Sequence, residues 1–168
     1  METQVDKIYY DKDGIIVRRS IKEDVYYLSD KLRDSDVNEI WACSNRLPLE
    51  SLKRSLETSI FCCTIINKEP IGIFGISPLT VLADKASVWF LGTNGIDKIQ
   101  RRFAKNSKYF INMMLEFYPY LYNWVDARNT MSIKWLKLCG AVIEEPKPYG
   151  KENLPFRYFY FQKGEQNV

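Results

Sequence analysis

Two rhythms of apolar and polar positions run along this chain, and the switches between them mark out its elements. Asp13-Gly14 forms a turn, and Ile15–Arg19 reads as a short strand behind a charged lead-in, Met1–Asp13, that is either loose or paired at an edge. Val25, Leu28 and Leu32 recur at helical spacing, with Ser20 and Glu23 in the positions of a capping box. Asp34-Ser35-Asp36 restarts the chain, and Val37, Ile40 and Trp41 share one face of a second short helix. Pro48 opens a third, carrying Leu49, Leu52 and Leu56. β-Branched runs take over at Ile60–Ile66 and Pro70–Ile76, joined by a turn at Asn67–Glu69, which predicts a hairpin. Ser87–Leu91 is a further strand, closed by Gly92-Thr93-Asn94-Gly95.

The helical rhythm returns from Asp97 to Tyr118, with Phe103, Phe110, Met113, Met114 and Phe117 as its inward stripe. Periodicity leaves open whether this is one helix or two broken near Asn106-Ser107. Leu121–Ala127 is a strand, Asn129 or Thr130 caps a helix through Leu138, and Gly140 stops it. Ala141–Glu144 and Phe156–Gln162 are strands around a Pro-rich loop, Glu145–Pro155. This order predicts an α/β fold in one domain over 1–168, with a mixed, mostly antiparallel sheet of about six to seven strands flanked by helices. The crossover from Ser87–Leu91 to Leu121–Ala127 makes those two strands parallel, and a splay between them would open a ligand crevice at their carboxyl ends.

Composition narrows the chemistry. The chain has no histidine, which excludes Ser-His-Asp and Cys-His catalysis and every His-containing metal site; no metal is expected. With 24 basic and 21 acidic residues, the net charge of +3 argues against a dedicated nucleic-acid binder, leaving only a local patch at Lys98–Lys108. Cys43, Cys62, Cys63 and Cys139 have no Cys-x-x-Cys spacing and read as buried, reduced thiols, as expected in the cytoplasm. Cys62 and Cys63, adjacent on a strand, point to opposite faces. No stretch approaches the ~20 apolar residues of a membrane span. The aromatic run Phe156–Phe161 offers a sheet edge at which two copies could pair as a homodimer.

The segment Val125-Asp126-Ala127-Arg128-Asn129 through Ser132, Trp135-Leu136 and Gly140 resembles the last conserved block of the GNAT N-acetyltransferases, a strand, an Asn and a helix ending in Gly. Ala141 stands where that block usually has Phe. Together with Glu39-Ile40-Trp41-Ala42, Phe90-Leu91-Gly92-Thr93 and Pro155-Phe156, it resembles a divergent branch met in phage and prophage genomes, over residues 14–162. The resemblance implies transfer of acetyl from acetyl-CoA to a protein or small-molecule amine by direct attack, with the donor's arm pairing along Trp89–Gly92, at Phe90, Leu91 and Gly92. Two family features are missing. Gln100–Lys105 replaces the glycine-rich pyrophosphate loop, so Arg101, Arg102, Lys105, Ser107 and Lys108 either bind the phosphates or form a solvated helix face. Leu136 replaces the tyrosine acid, and Tyr149 is the substitute candidate, unless it only packs its loop.

Asn129 either bonds the donor, as in the family, or caps its helix; Ser132 is a second donor contact or a small residue against the sheet. For the base, Glu39 and Asp126 are the candidates, since a carboxylate in an apolar cleft titrates near neutrality. Asp126 pairs alternatively with Arg128, which shares its strand face, Glu39 is alternatively an exposed helix residue, and a base acting through water or an acceptor already deprotonated requires neither. The other reading of the chain is a GNAT-fold module without catalysis, serving as a phage virion component or binding protein.

Overall fold

The computed structural model describes residues 7–164, except for the side chains of Gln100 and Arg101; residues 1–6 of the lead-in lie outside the described residues. The lead-in supplies β1 (Ile8–Lys12), which pairs antiparallel with β2 (Ile15–Arg19). Asp13 and Gly14 between them both take positive φ, 56° and 76°, the conformation a two-residue hairpin needs. Three helices follow: α1 (Lys22–Ser29), α2 (Asp34–Ser44) and α3 (Pro48–Thr58). The predicted hairpin is β3 (Phe61–Asn67) and β4 (Glu69–Pro78), and β5 (Lys85–Gly92) continues it antiparallel. Then come α4 (Gly95–Phe117), β6 (Tyr120–Asp126), α5 (Thr130–Leu138), β7 (Val142–Ile143), β8 (Lys147–Tyr149) and β9 (Leu154–Gln162).

The strands form one sheet in the order β1-β2-β3-β4-β5-β6-β9-β7, with β8 also against β9. Among the described residues it has nine strands, two more than expected: β1 from the lead-in and β8 from the Pro-rich loop. Every pairing is antiparallel except β5 with β6, as the crossover requires. Helices α1–α3 cover one face, setting Val25, Leu28 and Leu52 against Cys62 and Ile73. Helices α4 and α5 cover the other, setting Phe103, Phe110 and Leu136 against Cys63, Phe74 and Phe159. The two adjacent cysteines do face opposite layers.

Some local readings change. Asn106-Ser107 does not break α4, because Ser107 Oγ donates back to the Phe103 carbonyl at 2.9 Å and leaves the helix continuous. The capping box is displaced: the Ile21 amide donates to Asp24 Oδ2 (2.9 Å), while Ser20 Oγ bonds Thr64 Oγ1 across to β3. Asp24 is buried because Arg18 meets it with two bonds of 2.8 Å and Thr64 adds a third. Phe117 at the end of α4 is exposed rather than inward. Phe156–Phe161 is no free edge, since β6 covers one side of β9 and β7 and β8 the other.

The largest change is in α2. Trp41 is 49% exposed, and the inward face of the helix is Asp36, Glu39, Ile40 and Cys43, spaced at three and four residues. Two of those four are acids; of the predicted apolar face, Ile40 is buried and Val37 partly buried against the core, and Trp41 alone turns outward.

Candidate active site

Strands β5 and β6 pair only from Lys85–Ser87 to Tyr120–Tyr122 and then diverge. Asn123 Nδ2 bridges the fork by donating to the Val88 carbonyl at 2.8 Å. Beyond it lies a cleft of about 510 Å³ whose walls include Glu39, Cys43, Trp89, Phe90, Trp124 and Trp135. The Thr93 amide bonds the Ile71 carbonyl of β4 (2.9 Å), so alternate residues Val88, Phe90 and Gly92 turn their main-chain groups towards the opening.

That open edge is shorter than expected. Gly92 N–H donates to Asp36 Oδ2 at 2.8 Å, and its carbonyl accepts from the Arg33 amide at 2.9 Å. Arg33 in turn holds Asp36 through bonds of 3.0–3.2 Å. Gly92 therefore docks the α1–α2 connection, and Phe90 is the residue left facing the cleft. A Cβ at Gly92 would lie 2.9 Å from Ile96 Cγ1, so glycine is required there by the packing of α4.

Glu39 lines the cleft opposite β5. Burial is the main reason its carboxyl is raised from 4.5 to about 7; the Asn129 hydrogen bond opposes this, and the charges of Asp36 and Asp126 reinforce it. Its Oε2 accepts from Asn129 Nδ2 at 3.4 Å. Asp126, the other candidate base, is held differently. Burial pushes it up, but bonds from the Arg128 side chain (2.6–3.2 Å) and the Arg128 amide (2.9 Å) outweigh this and keep it below the usual carboxylate range. A carboxylate so engaged is a poor proton acceptor, and Asp126 does not line the cleft.

Asn129 caps α5, its Oδ1 accepting from the Ser132 amide at 3.1 Å. With its other end on Glu39, both halves of the amide have protein partners. Ser132 and Tyr149 both line the cleft. The Tyr149 ring stacks on Trp124 with centroids 4.3 Å apart, and burial raises its phenol, which keeps it protonated at neutral pH. Gly150 (φ 78°) fixes this wall: its neighbours Lys151 and Glu152 donate their amides to the carbonyls of Cys43 and Ala42, and a Cβ there would meet Ala42 O at 2.5 Å. Cys43 is pushed up to about 12 by burial and by Glu39 and Asp126, so it is no nucleophile.

The phosphate-side candidates are scattered. Ser107 is buried and bonded within its own helix. Arg102, Lys105 and Lys108 are exposed about two to three and a half turns into α4, away from its start, and none of them lines the cleft; the Arg101 side chain lies outside the described residues. The first turn of α4 holds Asp97, 3.5 Å from Arg33, and the Gly95 amide is bonded to Thr93 Oγ1. Among the described residues, the first turn of α4 thus presents a carboxylate and an engaged Gly95 amide where a helix start would otherwise receive an anion. Sequence reasoning missed Arg33, Asp36 and Asn123; a carboxylate three residues before Glu39, hence one turn away on α2, was the available signal.

Among curated proteins, none matches the sequence. Residues 75–146 match the family model described as bacteriophage T7, probable scaffold protein Gp13. In three dimensions the chain is similar to the ribosomal-protein-S5-alanine acetyltransferase of Vibrio fischeri, with TM-score 0.69 and 15% identity over 97% of this chain and 100% of that one. It is also similar to the spermidine N-acetyltransferase of Vibrio cholerae, solved with CoA and spermine, with TM-score 0.63 and 12% identity over 92% and 98% of the two chains. A GNAT-family acetyltransferase of Bacillus anthracis gives TM-score 0.65 and 11% identity over 95% and 100%. Strand order, the β5–β6 fork and these likenesses agree: this chain has the fold of the GNAT acetyltransferases.

Proposed function

We propose that this chain is an N-acetyltransferase that moves acetyl from the thioester of acetyl-CoA to a protein or small-molecule amine. The observation that carries the reading is Glu39, a carboxyl raised to about 7 inside a cleft that opens where two parallel strands part. A base that is half ionised at neutral pH is matched to taking a proton from an ammonium. The freed amine attacks the thioester carbonyl, the C–N bond forms and the C–S bond breaks. The thiolate leaves and takes the proton of the Tyr149 phenol, and the second proton of the attacking nitrogen, released as the amide forms, restores the phenol. Phe90 N–H, turned to the opening, is the donor available to the developing oxyanion. Asn129 acts through Glu39 as a positioning residue.

The test is acetyl transfer to a panel of polyamines, peptides and amino sugars. Glu39→Gln is expected to lower kcat by about 10²-fold or more and to abolish the rise of activity through pH 7. Acetylation of none of these amines, or unchanged kcat in the variant, overturns the reading. The second reading, a binding or virion module without catalysis, is favoured by the occupied Gly92 amide and by Asp97 at the start of α4. It predicts no binding of acetyl-CoA up to millimolar concentration.

A further inference from the structure

Basic residues gather along α4 and α5, where the acids, Asp97 and Glu116, stand at the two ends of α4. Residues 98–115 and 127–143, which contain most of α4 and all of α5, hold eight Lys and Arg and no Asp or Glu. The rest of the chain is left with 16 basic and 21 acidic residues. Arg128 is paired to Asp126, but Lys98, Arg102, Lys105, Lys108, Lys134 and Lys137 are exposed, and none makes an ion pair among the described residues. A one-signed face on an otherwise acidic body orients an approaching polyanion. Apolar groups stand among these charges: Tyr109 is 53%, Met131 50% and Leu138 66% exposed.

This face flanks the cleft. Ile96 and Phe103 of α4 and Met131, Ser132 and Trp135 of α5 contribute to its lining, and Ser107 and Lys108 of α4 lie beside Cys139 at the end of α5. Two further facts bear on what enters. Asp36 and Arg33 close the strand edge at Gly92, and Asp97 and Thr93 fill the start of α4. Among the described residues, a nucleotide diphosphate at the far end of a donor arm meets Asp97 and an engaged Gly95 amide at the start of α4, whereas an acidic surface behind the arm meets exposed lysines.

Resting on the thioester-transfer reading above, we propose that the preferred acyl donor is protein-borne: an acidic, helical carrier whose phosphopantetheine thioester enters between α4 and α5 while its surface lies on their basic face, with acetyl-CoA the weaker donor of the same thioester. The carrier replaces the nucleotide of CoA, and the bonds made and broken are those already described. A protein partner fits better than a nucleic acid because the face mixes lysines with exposed Tyr109, Met131 and Leu138, as protein interfaces need an apolar centre. A phosphate backbone needs only the charges.

The experiment compares binding of acetyl-loaded bacterial acyl carrier protein, acetyl-CoA and a DNA duplex, each across a salt series. The expected result is that the acetyl-carrier binds at least tenfold tighter than acetyl-CoA, weakens with salt, and loses tenfold or more in the double variant Lys105→Glu, Lys134→Glu. Both side chains are exposed, so that variant should melt like the parent. Equal or tighter binding of acetyl-CoA, indifference to charge reversal, or tighter binding of the duplex each overturns the proposal. Acetyl-pantetheine with the amine panel separates the two claims. If it acetylates an amine while the carrier gains nothing, the basic-face proposal alone falls. If no thioester reacts although the carrier binds as expected, the transfer reading falls.

Discussion

Replacing Glu39 with Gln tests the electrostatics of the cleft without any substrate. Burial holds the Glu39 carboxyl at about 7 in the folded chain, against 4.5 when it is exposed. Between those values the folded state keeps a proton that the unfolded chain has released, so stability falls as pH rises through this window. Below pH 4.5 the effect is absent, and above pH 7 it is complete. At about 1.4 kcal/mol per pH unit, the ionised Glu39 destabilises the fold by about 3 kcal/mol above neutrality. Gln keeps the shape, still accepts from Asn129 and never ionises. Glu39→Gln should therefore melt close to the parent at pH 5 and about 6–12 °C above it at pH 8. Thermal melts of both proteins at the two pH values measure this. A melting difference that is the same at both pH values, or a parent more stable than the variant at pH 8, refutes the reasoning. A variant that gains stability while losing acetyl transfer is the signature of a charge kept for chemistry.

Other changes probe the surroundings of that charge. Asn129→Ala removes the cap of α5, costing about 1 kcal/mol. It also removes a bond that lowers Glu39, so the pH at which the parent loses stability should move up; an unmoved midpoint separates Asn129 from Glu39. Gly150→Ala forces a Cβ to within 2.5 Å of the Ala42 carbonyl at positive φ, and should cost about 2 kcal/mol and loosen the Tyr149 wall. A denaturant midpoint equal to the parent's contradicts this. Asp24→Asn leaves Arg18 without its charged partner and should destabilise by about 3 kcal/mol, read in the same melts.

Periodicity was a good guide wherever an element buries apolar side chains. The β3–β4 hairpin, the stripe of α4 and the β6–α5 unit follow from Ile, Phe and Leu spacing, because water exclusion acts on those residues wherever they fold. It placed Val25, Leu28 and Ile40 inward but was silent on the acids that turn inward beside them, Asp24 on α1 and Asp36 and Glu39 on α2. A buried acid looks like a surface residue until its partner is known, and the partners come from distant segments: Gly92 for Asp36, Asn129 for Glu39, Arg18 and Thr64 for Asp24. Glu39 was legible as a candidate only because Ser87–Leu91 carries no carboxylate, and Asp126 looked equivalent to it. Their different surroundings separate the two.

The sequence by itself determined the class of fold, the single parallel crossover and the exclusion of histidine chemistry, since these depend on local rhythm and composition. Tertiary structure decided what the acids do. It set Glu39 against Asn129 in a cleft, tied Asp126 to Arg128, and closed the open strand edge at Gly92 with a connection some sixty residues earlier in the chain. A titrating group responds to every charge and dipole within a few ångströms, and only the folded chain says which those are.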